Sequence, residues 1–146
     1  MLASNTKPFL TTSKTIANIP GLATLIGTQI QYYQSVKNVQ QYAAVIAWGN
    51  KTSTRKAADV ARHINLPLIK LEDGFLRSVG LGSEDAPLSV VVDDLGIYYD
   101  ATCPSRLENL IAKQLTTDEI LRADRLITRW RLARVSKYNQ AREYSG

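Results

Sequence analysis

Soft metal ligands are almost missing from this chain of 146 residues, which has one cysteine, Cys103, and one histidine, His63. A lone cysteine excludes an internal disulfide framework. The two side chains lie far apart in sequence, so no zinc site is expected. Cys103 has no histidine near it in sequence and reads as a packed or idle thiol rather than a nucleophile. Long apolar runs are missing too: none approaches the roughly 18 residues of a membrane span. The opening MLASNTKPFLTTSK lacks the charged-then-apolar order of a secretory leader, and Asn18, Pro20 and Gly21 break the stretch 16–30. These absences point to a soluble protein of a reducing compartment. With 45% hydrophobic and 21% charged residues, wholesale disorder is not expected. The length fits one small domain or a piece of a larger one.

Acid is scarce at one end. Between Arg122 and Arg142 stand seven basic residues and a single acid, Asp124, which makes this stretch +6 and the remainder −1. The basic character belongs to a C-terminal segment, not to the whole chain. Such a stripe suits nucleic acid, an anionic membrane or a phosphate ligand, or is the solvated face of a helix inside a larger protein. Between Arg122 and Arg134 the one aromatic residue is Trp130, and it lies on the apolar side, so nucleic acid is not the expected partner.

Residues 1–14 are polar and read as loose. The stretch 16–30 has helical apolar spacing broken at Pro20-Gly21, which predicts a turn and a short helix. Residues 29–41, rich in Gln and Tyr, read as a linker or a poorly packed helix. Organisation sharpens at Ala43-Ala44-Val45-Ile46-Ala47, a continuous apolar run suited to a strand buried on both faces. Ala57, Ala58, Val60, Ala61 and Ile64 then mark one face of a helix, and 66–71 a second strand: a βαβ unit. Residues 88–92 and 97–99 flank Asp93-Asp94-Leu95-Gly96 and predict a hairpin. Ser105-x-x-Glu108 and Thr116-x-x-Glu119 are capping boxes opening two helices. The second carries Ile120, Ala123, Leu126, Ile127, Trp130 and Ala133 on one side, and Arg122, Arg125 and Arg129 on another. The expected fold class is α/β, a Rossmann-like lobe with a short, mostly parallel sheet flanked by helices. Its divisions are an N-terminal helical and linker segment (1–42), the α/β core (43–115) and a basic C-terminal helix (116–146).

Open α/β sheets bind ligands beyond the carboxyl ends of their strands. Two segments sit there. In the first, Gly49 allows close backbone approach, free amides at the next helix start can hold an anion, and Lys51 adds a point charge; the same residues also suit an ordinary strand-to-helix turn. In the second, Glu72 and Asp73 stand side by side, a pairing that suits acid/base chemistry. Arg77 either forks onto an anionic ligand or pairs with Asp73 to fix the loop. Asp93, Asp94 and Asp100 read as turn formers rather than as a magnesium site.

Taken in order, these segments resemble the capsule polysaccharide β-Kdo transferases, the KpsC/LipA family. The matching stretches are Trp48-Gly49-x-Lys51-x-Ser53, the run Leu71-Glu72-Asp73-Gly74-Phe75-Leu76-Arg77-Ser78-Val79-Gly80-Leu81-Gly82, and Pro87-Leu88-Ser89-x-Val91-Val92-Asp93-Asp94-x-Gly96-Ile97-Tyr98-Tyr99-Asp100-Ala101. Pro104-Ser105-x-Leu107-Glu108 and Ser136-Lys137-Tyr138-Asn139 complete them. Thr52 and Asn50 depart from the proline and the basic residue usual in the family. The resemblance implies half of a two-lobed glycosyltransferase that takes Kdo, an acidic ketose, from CMP-Kdo with retention. It implies a β-linked Kdo linker built on a lipid acceptor of phosphatidylglycerol type at the cytoplasmic face of the inner membrane. No cofactor or metal is implied beyond the CMP-Kdo donor substrate. Glu72 matches the family's Glu-Asp-Gly-Phe motif and is expected as acid/base, with Asp73 beside it. Arg77, Ser78, Lys51, Gly49 and Ser53 are expected around the substrate. Arg122, Arg125 and Arg129 are expected toward an anionic membrane. Donor-binding sequence and a further catalytic aspartate are expected beyond Gly146, in a second lobe. The chain alone is then inactive, and the other reading is a module that binds a sugar nucleotide, an acceptor or a partner lobe without turnover.

Overall fold

The computed structural model describes residues 6–34, 38–80 and 85–139. Leu81, Gly82 and Arg142 lie outside the described residues. The first strand, β1 (Phe9–Thr11), runs into a short helix α1 (Lys14–Ala17); α2 (Leu22–Ile26) follows and then β2 (Ile30–Tyr32). After a single 3₁₀ turn come β3 (Ala44–Trp48), α3 (Thr52–His63) and β4 (Leu68–Asp73). The chain ends with β5 (Val90–Asp93), α4 (Arg106–Ala112) and α5 (Thr117–Ala133). The strands form one sheet in the order β2-β1-β3-β4-β5. The first four are parallel, and β5 is antiparallel to β4. This is the expected α/β lobe.

Each face of the sheet carries its own core. On one face α3 lays Ala57 and Ala61 against Leu10, Val45 and Ala47. Small residues at that contact let helix and sheet approach closely, while Arg55, Lys56 and Asp59 stay in water. On the other face Ile16 and Leu22, from α1 and α2, pack on Ile46 and Leu71. Strand β3 is buried on both sides, which is why its sequence is continuously apolar.

Residues 9–11 correct the reading of the N-terminus as loose, and 30–32 correct the linker. β1 lies between β2 and β3, and Leu10 and Thr11 are fully buried. The sheet therefore runs across position 42, where composition suggested a boundary. A three-residue strand has no periodicity to display; its conformation comes from pairing with residues far along the chain.

The hairpin reading is also corrected. Residues 97–99 form a turn, and β5 pairs with β4 instead, Asp73 opposite Val90 and Lys70 opposite Asp93. The buried Asp93 carboxylate explains the departure. It accepts the Leu95 and Gly96 amides at 3.0 and 2.9 Å and the Arg106 amide at 2.9 Å. It thereby bends the chain off the sheet and fixes it to the start of α4. A side chain at Gly96 would collide with Pro104 and Cys103.

Both capping boxes form, Ser105 with Glu108 and Thr116 with Glu119. No residue of α5 is buried, and Ile120 and Ile127 of its apolar stripe are each about half exposed. The helix is tied down beyond its C-terminus. Lys137 O accepts the Arg77 and Ser78 amides at 2.9 and 3.3 Å, and the Asn139 amide donates to Val79 O at 2.8 Å.

Leu10→Ala is expected to cost about 2–5 kcal/mol in urea unfolding, the value of a core leucine; a cost near zero would mean the N-terminal strand is dispensable. A pH effect follows from Glu119. The Lys113 ammonium, at 2.7 Å, chiefly lowers its carboxyl from 4.5 to about 2, with help from the Thr116 amide. A depressed folded value means the stabilisation is complete above pH 4.5 and is lost as pH falls toward 2. Circular dichroism should show helix loss across that window, and Glu119→Gln should flatten it.

Candidate active site

The order of strands reverses between β1 and β3, and their carboxyl ends diverge there. Such a switch point opens a crevice. A cleft of about 620 Å³ lies there, bordered by Ser13 and Ile16 after β1, Trp48, Lys51 and Ser53 around the end of β3, and Arg77. Asp73 and Pro87 also line it. Four of the expected residues, Lys51, Ser53, Asp73 and Arg77, thus meet around one cavity.

Glu72, half-buried at the end of β4, is not itself among the residues lining this cleft but lies directly behind its wall, in contact with Trp48. Its carboxylate takes three donors. The Trp48 indole N–H reaches Oε1 at 3.2 Å, the Asp73 amide reaches the same oxygen at 3.1 Å, and the Tyr99 hydroxyl reaches Oε2 at 3.3 Å. Trp48 belongs to the cleft wall and so joins the carboxylate to it. The Tyr99 hydroxyl in turn accepts the Asn50 amide at 3.0 Å. Burial raises the Tyr99 phenol above its ordinary value, the Asn50 amide opposes this, and the Glu72 charge adds to the rise. Tyr99 therefore keeps its proton and its donor role.

Gly49 is held at φ +57°. A Cβ there would lie 2.5 Å from the Tyr99 hydroxyl and 2.9 Å from Glu72 Oε2. The close approach expected of Gly49 is real, but it is to Glu72 and Tyr99. The Asn50 side chain extends the same network: its Nδ2 donates to Asp100 Oδ2 at 2.8 Å and its Oδ1 accepts Lys70 Nζ at 2.7 Å. The Asp100 carboxyl is lowered, first by the Thr102 hydroxyl.

Asp73 diverges from Glu72, because neighbouring side chains on a strand point to opposite faces. Its carboxylate accepts Arg77 Nε at 3.0 Å. Arg77 is almost fully buried, and its guanidinium also donates to Ser78 Oγ at 3.0 Å and to the Asp85 carbonyl. Of the two roles left open for Arg77, the loop-fixing pair with Asp73 is the one formed. Ser78, equally buried, donates to Gly80 O at 2.7 Å and is not among the residues lining the cleft. Its hydroxyl is engaged inside the loop, and the residue lines the groove with Val90 and Trp130 instead. The three aspartates read as turn formers each meet protein donors: Asp93 backbone amides, Asp94 the Arg106 guanidinium, which lowers its carboxyl, and Asp100 Thr102 and Asn50.

Sequence reasoning passed over Trp48 and Tyr99 as partners of Glu72. Tyr99 stood in a supposed strand and in the family-like run 87–101, and its 27-residue separation from Glu72 hides the contact. The cleft residues Ser13 and Ile16 were hidden with β1.

A mostly parallel α/β lobe with a carboxylate fixed beside its switch-point cleft is the class of protein defined so far. Comparisons narrow it. Residues 43–144 match the family model described as capsule polysaccharide biosynthesis protein, and the chain belongs to that family. It is 43% identical over 136 residues to the capsule polysaccharide modification protein LipA of Neisseria meningitidis serogroup A, covering 91% of this chain and 19% of that protein. It is 44% identical over 100 residues to the lipopolysaccharide-processing protein LpsZ of Rhizobium meliloti, covering 66% of this chain and 22% of that protein. The solved structure of Thermosulfurimonas dismutans KpsC, beta Kdo 2,4 transferase, superposes with a TM-score of 0.81 at 41% identity. That match covers 96% of this chain and 45% of the other. The beta Kdo 2,7 transferase of the same organism's KpsC gives a TM-score of 0.58 at 30% identity. The chain thus spans about a fifth of LipA and less than half of the solved transferase.

Arg77→Ala strands the Asp73 carboxylate in a largely dry loop, and a cost of about 3–5 kcal/mol is expected in urea unfolding. Amide hydrogen exchange at Ser78 and Asn139 should accelerate with it. A variant as stable as the parent, with weaker ligand binding only, would assign Arg77 to the ligand instead.

Proposed function

We propose that this chain is one lobe of a retaining β-Kdo transferase, the lobe that supplies the acid/base carboxylate. The observation that carries the reading is Glu72, fixed by three donors beside the switch-point cleft. Three donors hold the carboxylate in one orientation at the strand end. The other support is the likeness to a structure whose title names a beta Kdo 2,4 transferase.

In the proposed reaction the donor is CMP-Kdo. Retention takes two displacements. In the first, a carboxylate from a second lobe bonds to the anomeric carbon and CMP departs with the bonding electron pair. In the second, an acceptor hydroxyl attacks that carbon, Glu72 takes the hydroxyl proton, and the second-lobe carboxylate leaves. Asp73 is not the second carboxylate, since it is committed to its ion pair with the buried Arg77. Trp48 and Tyr99 are positioning residues that hold Glu72. Lys51 and Ser53, exposed at the start of α3, face anionic groups of the sugar from across the cleft. The acceptor is a Kdo-bearing lipid, of phosphatidylglycerol type at its base, and no cofactor or metal takes part.

Two walls are needed for turnover, because the rate depends on both carboxylates being held in register. The chain alone is expected to bind a Kdo-terminated acceptor saturably in calorimetry and to transfer no Kdo from CMP-Kdo. Joined to the remaining sequence of the Thermosulfurimonas relative, it is expected to transfer. Glu72→Gln should then lower the rate by about 10²–10⁴-fold, the usual contribution of a general base. Full activity of that variant would remove Glu72 from the chemistry, and turnover by the chain alone would remove the need for a second wall.

A further inference from the structure

We propose that α5 carries a binding track for an acidic oligosaccharide, whose successive carboxylates sit on Arg122, Arg125 and Arg129. Successive residues of an α-helix turn by about 100° and rise by about 1.5 Å, so the three arginines fall within an arc of about 60° and stand about 4.5 and 6 Å apart along the axis. Together with Leu126 they border one shallow hollow of about 400 Å³. All three are exposed, and no ion pair among the described residues takes any of them. Asp118 shares their arc one turn before Arg122 without pairing with it, and Asp124 lies well outside the arc. Like charges three and four residues apart repel each other and weaken a helix. An unmixed row of arginines is therefore a cost that a bound polyanion removes.

The row favours sugar carboxylates over other anions. Each guanidinium presents a planar fork that matches a carboxylate through two parallel hydrogen bonds. The rise from one arginine to the next is close to the length of one linked sugar ring, so a chain with a carboxylate on every residue can occupy all three in turn. Leu126 on one shoulder of the row and Leu132 on the other, 45% and 79% exposed, offer apolar surface to the C–H faces of the rings. A helix lying in a bilayer interface has the opposite arrangement, one apolar face toward lipid with its cations on the polar side; here the cations lie between leucines. A single strand of nucleic acid asks for aromatic platforms between the basic residues, and Trp130 instead lines the groove beneath β5. That groove, of about 720 Å³, runs from Leu126 and Trp130 to Gly74 and Phe75, directly after Glu72 and Asp73 in the chain. Leu126 borders both hollow and groove, so one continuous surface joins the arginine row to the strand end that bears Glu72. The row is thus placed to hold residues of an acidic acceptor remote from the point of transfer.

The choice of an acidic sugar rests on the proposed transfer of Kdo, whereas the anion site itself does not. The test titrates the 146-residue chain with a lipid-free β-linked Kdo trisaccharide, its methyl ester, monomeric Kdo and trigalacturonate, following the arginine Nε–H signals by NMR. The Kdo trisaccharide is expected to shift Arg122, Arg125 and Arg129 and to leave Arg55 and Arg62 in place. It should bind at least about tenfold more tightly than the monomer, because linked contacts act together, and should weaken with added salt. The ester should not bind. Replacing the three arginines together with Gln should weaken the trisaccharide about thirtyfold, the sum of three exposed charge pairs. A second triple variant, Lys7→Gln with Arg55→Gln and Lys56→Gln, removes the same charge from exposed sites elsewhere and should bind almost as the parent does. Binding of trigalacturonate without binding of the Kdo trisaccharide would keep the track and overturn the Kdo reading instead. Shifts away from the row, equal losses from the two triple variants, or equal affinity for the ester would each overturn the proposal. So would tighter binding, at the same salt, to an oligoglutamate of equal charge, a single-stranded oligonucleotide or phosphatidylglycerol vesicles.

Discussion

A guanidinium taken out of water must find matched partners, and the rim of this cleft is built around that requirement. Arg77 meets it with Asp73 at the end of β4, with Ser78 in its own loop and with the Asp85 carbonyl. These contacts turn a glycine-containing stretch into a fixed wall. They also commit Asp73, which leaves Glu72 as the carboxylate beside the cleft whose partners are an indole, an amide and a phenol. Division of labour between adjacent acids thus follows from strand alternation and one buried cation.

The Glu72 network shows why the family motif is spread over three segments. Trp48-Gly49-Asn50 ends β3, Glu72 ends β4, and Tyr99-Asp100 lies in the turn before α4. Gly49 is the joint: any side chain there would push the phenol and the carboxylate apart. Asp93 makes the arrangement possible by pinning its turn to α4, which brings Tyr99 back over the strand ends. Structural and chemical residues are therefore hard to separate by residue type. Arg77 and Asp73, charged residues of the kind a site is expected to use, pair with each other, whereas Trp48 and Tyr99 meet the Glu72 carboxylate.

Much of the α/β plan was legible in the sequence. The continuous apolar run at β3, the alanine face of α3 and both capping boxes are local signals, and each corresponds to an observed element. β1 and β2 were not legible, because strands of three residues acquire their conformation from distant partners. Losing β1 also hid the switch point, since the reversal of strand order lies between β1 and β3. Two turn-flanked runs suggested a hairpin, yet the pairing was decided by Asp93, whose three amide bonds no pattern of hydrophobicity records. Glu72 could be singled out as a strand-end acid; its partners could not, being 24 and 27 residues away along the chain.

The pairing of Lys137 and Asn139 with Arg77, Ser78 and Val79 closes a circuit of some sixty residues of chain. α4 and α5 leave the sheet after β5 and come home to the loop that walls the cleft. Helix and wall consequently share a mechanical tether. α5 cannot swing away without unzipping backbone hydrogen bonds beside Arg77, so any load on the helix is felt at the crevice through main chain rather than through soft side-chain contacts.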